Sequence, residues 1–102
     1  MQSKLLTSLV NELLEADIMF SLYCNDTATP TIILLQPKKF IEWTKHFLVI
    51  PYLNGASMQF VLSDGVSEIT IQCLSHFIPV PTIREWQRLV DEEVDKRQQE
   101  RT

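Results

Sequence analysis

Apolar residues recur at helical spacing over residues 4–16. Leu5, Leu6, Leu9, Val10, Leu13 and Leu14 share one side, and Thr7, Ser8, Asn11, Glu12 and Glu15 fill the other. At about 100° per residue the apolar arc covers close to half the helix. A face that broad predicts contact with more than one neighbour. Ser3 is the expected N-cap.

The period then changes. "DIMFSLYC" (17–24) is rich in aromatic and branched residues and nearly free of charge, which predicts a strand. "NDTATP" (25–30) is turn chemistry, and "TIILLQ" (31–36) is the expected return strand. Pro37 suits the first turn of a helix over 37–48. Phe40, Ile41, Trp43, Thr44, Phe47 and Leu48 form its apolar face, with Lys38, Glu42, Lys45 and His46 opposite. Pro51 stops that helix, and "YLNGAS" reads as a loop turning at Asn54-Gly55.

Residues 57–74 carry the clearest local signal, Asp64-Gly65 between two alternating runs. A two-residue type I′ turn there sets Ser63 opposite Val66, Phe60 opposite Ile69 and Met58 opposite Ile71. Gln59 then faces Thr70, and Val61 faces Glu68. Met58, Phe60, Leu62, Ile69, Ile71 and Cys73 fall on one face and mostly polar side chains on the other. A final helix follows, with Thr82 and Glu85 as a capping box and Ile83, Trp86, Leu89, Val90 and Val94 as its stripe. Glu92–Lys96 and Glu93–Arg97 have favourable i,i+4 spacing. Residues 95–102 read as a charged helical tail prone to fraying.

The expected order is α-β-β-α-β-β-α in a single α+β domain spanning residues 1–102. Two hairpins most simply build a four-stranded antiparallel sheet with helices packed on it. This order resembles that of roadblock-type and secretion-chaperone-type folds, which implies a non-catalytic dimeric adaptor. It also resembles that of homing endonuclease domains. The first helix lacks the small-residue and Gly-Asp ending of those enzymes, so that activity is set aside.

The two hairpins differ in one respect. The second is apolar on one face only. In the first, Ile18, Phe20, Leu22 and Cys24 occupy one face, and Met19 and Tyr23 the other; Ile32 and Leu34 likewise oppose Ile33 and Leu35. Either the helices cover both sides of this hairpin, or one apolar face stays exposed as an interface. The expected protein-binding surface is Met19, Tyr23, Ile33 and Leu35.

Composition narrows the function. A chain of 102 residues with 45% hydrophobic and 22% charged residues is an ordinary globular domain. Its net charge of −4 and pI near 5.0 argue against bulk electrostatic binding to nucleic acid. Only 2 Gly are present, which excludes Gly-rich phosphate loops. No apolar run is long enough for a membrane span, and the first segment reads as an amphipathic helix rather than a signal peptide, so a cytoplasmic location is expected.

Candidate chemistry is sparse. Cys24 and Cys73 lack metal or redox spacing and are expected as two buried free thiols. His46 and His76 form no ligand pattern, and the carboxylates scatter over expected surfaces and turns. Trp43 and Trp86 fit core anchors. Lys38 and Lys39, in the first turn of a helix, offer an anion-binding alternative, which Lys45 extends to nucleic acid. The expectation is therefore a small non-enzymatic interaction module without cofactor: an adaptor, chaperone-like protein or inhibitor that binds a protein partner or itself as a homodimer.

Overall fold

The computed structural model describes residues 4–24 and 29–100. Ser3 and most of the first turn lie outside the described residues. The elements are α1 (Lys4–Glu15), β1 (Phe20–Tyr23), β2 (Thr31–Leu34), α2 (Pro37–His46), β3 (Tyr52–Asn54), β4 (Ser57–Ser63), β5 (Glu68–Leu74) and α3 (Val80–Glu100), with a 3₁₀ turn at Ser75–Phe77.

The α+β class holds, but the sheet is five-stranded and mixed, in the order β1-β2-β5-β4-β3. The hairpins β1–β2 and β4–β5 are antiparallel, and they join through a parallel β2–β5 pairing. That parallel join corrects the all-antiparallel expectation. The fifth strand, β3, was expected as loop. It pairs Tyr52 with Gln59 and Asn54 with Ser57, turning through Gly55, whose φ of +62° suits glycine.

The second hairpin also differs in register. Ser63 pairs with Glu68, Phe60 with Ile71 and Met58 with Cys73, so its loop has four residues, 64–67, rather than two. The Asp64 carboxylate accounts for this. It accepts the backbone N–H groups of Val66 (2.9 Å) and Ser67 (2.8 Å), an arrangement a two-residue turn has no room for. The shift is two positions, an even number, so every side chain keeps its expected face.

Helix ends follow local chemistry. Asp17 has φ +56°, and Ile18 N–H reaches Leu13 C=O while Asp17 N–H reaches Leu14 C=O. This Schellman closure of α1 takes up residues expected in the first strand. Leu48, at φ +54°, closes α2 the same way as Val49 N–H returns to Thr44 C=O. Leu48 therefore leaves the apolar face expected of it. α3 begins ahead of the expected capping box. Pro79 C=O accepts the N–H groups of Thr82 and Ile83, and Pro81 sits in the first turn, where its missing N–H costs nothing. Helix persists to Glu100, and the end of the charged tail lies outside the described residues. Glu93 pairs with Arg97 as expected, but Glu92 pairs with Arg88.

The core lies between one sheet face and the helices. Ile32, Leu34, Phe60, Ile69, Ile71 and Cys73 are buried together with Leu9 and Leu13 of α1, Phe40 and Trp43 of α2, and Trp86 of α3. Phe40 anchors an aromatic chain, with ring centroids 5.2 Å from Phe60 and 5.9 Å from Trp86. Both tryptophans are core residues. No buried side-chain N or O among the described residues lacks a partner.

Candidate protein-binding face

Strand alternation fixes which residues share a face, and the helices decide which face stays open. Cross-strand pairs Phe20–Leu34, Leu22–Ile32, Ile32–Ile71 and Ile71–Phe60 run along the core side. Residues one position away run along the other side. One row there is Ser21, Ile33, Gln72, Gln59 and Tyr52; the next is Tyr23, Thr31, Thr70 and Val61. α1, α2 and α3 all contribute to the single core. α1 also lies beside the core-side residue Leu22, through Leu6 and Val10. α1 thus buries Leu9 and Leu13 in the core on the helix side of the sheet and meets α2 through Glu12, while Leu14 of its apolar arc stays exposed.

Met19, Tyr23, Ile33 and Leu35 all stand on the open face. Met19 is 68% exposed, Tyr23 64% and Leu35 42%, while Ile33 is half-buried. Met19 and Leu35 are neighbours, joined by the Leu35 N–H to Met19 C=O bond at 3.4 Å. Isolated exposed apolar residues are ordinary, but several gathered on adjacent strands mark a surface that water covers poorly.

The far half of the open face has a different character. Gln72 donates to Gln59 Oε1 at 2.9 Å, Asn54 donates to the same oxygen at 3.1 Å, and Gln59 donates to Tyr52 OH at 2.8 Å. These amides satisfy one another across β3, β4 and β5, and Gln59 is buried although it lies on the open side. The face therefore divides into an apolar half on β1–β2 and a polar half that is hydrogen-bonded to itself. The amide ladder needs three strands in one register, which sequence reading without β3 did not assemble.

The expected lysine site is split apart. Lys38 is exposed, but Lys39 is buried. Its ammonium lies 3.3 Å from Glu12 and 3.5 Å from Glu42, and 5.8 Å from the Trp43 ring centroid. The Glu12 carboxylate also accepts the Trp43 indole N–H at 2.5 Å. Lys39 is thus engaged by two carboxylates, which leaves Lys38 and Lys45 as the exposed lysines of α2.

Other reactive groups are dispersed. Cys73 is buried as expected, and burial pushes its thiol pKa up. Cys24 is exposed, contrary to expectation, because β1 ends at Tyr23 on the sheet edge. Among the described residues no cluster of His, Cys, Asp or Glu has metal-binding geometry. Ser67 and Val66 N–H groups hold the Asp64 carboxyl below its ordinary range, and Arg88 does the same for Glu85. Each of these serves a loop or a helix surface. A depression of about 490 Å³ lies between α2 and α3, where Ile41, Val49, Ile50, Trp86 and Leu89 alternate with Thr44, Lys45, Thr82 and Glu85. No described helix is long and apolar enough to cross a membrane.

No protein-family model matches the chain, and no curated protein or solved structure matches it either.

Proposed function

We propose that the chain is a small non-enzymatic interaction module, adaptor-like, chaperone-like or inhibitory, that binds a protein partner through the apolar half of its open sheet face. One observation carries this reading. The helices gather on one side of the sheet, and Met19, Tyr23 and Leu35 remain exposed beside Ile33 on the other. A partner covering these side chains would gain roughly 25 cal/mol per Å² of apolar surface removed from water. The adjacent amide ladder, hydrogen-bonded through Gln59, would form a polar border to the contact.

The test compares wild type with a Tyr23→Asp/Leu35→Asp double variant as bait in extract from the source cells. Partners specific to the wild type should be lost from the variant while its circular dichroism is unchanged. Equal recovery of every partner by the folded variant would exclude this surface.

A further inference from the structure

We propose that the chain self-associates by antiparallel pairing of β1 with β1 of a second copy, about a two-fold axis at Leu22. The proposal rests on the interaction-module reading for its purpose and on the β1 backbone for its geometry. β1 is an outer strand of the sheet. Met19 C=O points toward β2, where it accepts Leu35 N–H. In an antiparallel ladder alternate residues point both backbone groups the same way. Ser21 and Tyr23 therefore serve β2, while Phe20 and Leu22 present N–H and C=O outward.

The two outer strands differ in protection. β3 is three residues long, follows Pro51, and borders Ile83, Gln87 and Val90 of α3. β1 lacks the sequence safeguards of an edge strand, because residues 18–24, IMFSLYC, contain no Lys, no Pro and no charge, although it too is short and α1 borders it at Leu22 on the core side. Within residues 18–24 a second copy brings no like charge across the axis; the acidic residues Asp17 and Asp26 flank the paired segment.

Hydrogen bonding selects the register. With Leu22 opposite Leu22 of the second copy, Phe20 faces Cys24 and Ser21 faces Tyr23, and every outward group meets a complementary one. Moving the axis to Ser21 sets Cys24 opposite Ile18, whose N–H is already given to Leu13 C=O. The Leu22-centred pairing also closes on itself. It consumes both β1 edges and leaves only the protected β3 edges. It merges the two open faces, so that the Met19 and Tyr23 patches of both copies form one platform. A contact this short buries less than about 1,200 Å², so a weak, concentration-dependent dimer is expected.

Sedimentation velocity up to about 1 mM protein tests this. Wild type should shift from monomer toward dimer. Leu22→Pro removes an outward N–H, which an edge strand tolerates, together with the Leu22 side chain beside Leu6 and Val10; it should weaken association at least about tenfold, whereas Leu22→Ala, which keeps the N–H, should not, both at unchanged circular dichroism. Ile33→Asp/Leu35→Asp, which alters the open face but not the β1 edge, should still dimerise. Leu22→Cys in a Cys24→Ser background should form an intermolecular disulfide on mild oxidation, since paired Cα atoms about 5.5 Å apart suit one. A wild type that stays monomeric at about 1 mM, while the bait experiment still finds a face-dependent partner, overturns self-pairing and leaves the module reading intact. Undiminished dimerisation of a folded Leu22→Pro, or no cross-link at position 22, also overturns it.

Discussion

The Lys39 ammonium lies 3.3 Å from the Glu12 carboxylate, a contact that ties α1 to α2. The same carboxylate accepts the Trp43 indole N–H. Holding α1 on the helix side of the sheet leaves the opposite face open. Glu12→Ala deprives a buried indole of its acceptor and leaves Lys39 with Glu42 alone. A loss of about 1–2 kcal/mol in urea-unfolding stability is expected. Lys39→Met, which removes the buried charge itself, should cost less than Glu12→Ala.

Leu48 occupies the left-handed region at φ +54° and is 90% exposed. Its side chain contributes little packing, and its backbone conformation is one that glycine adopts freely. Leu48→Gly should therefore stabilise the domain by about 0.5–1 kcal/mol, seen as a higher urea midpoint at constant slope.

The two thiols should react very differently. Cys24 is exposed and Cys73 is buried. A thiol-specific reagent added to the native protein should titrate one cysteine rapidly and the second only on unfolding. Cys24→Ser should abolish the fast phase.

The Asp64 loop predicts a pH effect. Ser67 and Val66 N–H groups lower the folded-state pKa of Asp64. A depressed carboxylate pKa contributes stability above its unfolded value near 3.9 and loses it as pH falls through the folded value. Asp64→Asn should therefore flatten stability against pH below about pH 4, relative to wild type, while leaving the slope near neutrality unchanged.

Sequence pattern revealed the features that local periodicity encodes. The stripes of α1, α2 and α3, the two hairpins, and the grouping of Met19 and Tyr23 against Phe20 and Leu22 all follow from spacing along the chain. Features made by distant contacts were hidden. β3 is a strand only because Tyr52 and Asn54 meet β4. The parallel β2–β5 pairing joins segments almost forty positions apart, such as Ile32 and Ile71. The second hairpin's register departs from the Asp-Gly signal because the Asp64 carboxylate caps a longer loop than that pair suggests. At the candidate site, alternation grouped the residues, but whether α1 covered them depended on tertiary packing. Burial of Lys39 likewise depended on Glu12, which lies on another helix.

The most direct test of the central claim places a photoreactive benzoylphenylalanine at Tyr23 in the source cells, with the same substitution at exposed Glu93 of α3 as control. The account predicts a discrete covalent adduct with protein from position 23, absent from position 93 and suppressed by Leu35→Asp. Position 23 giving no adduct, or only those formed from position 93, would contradict it.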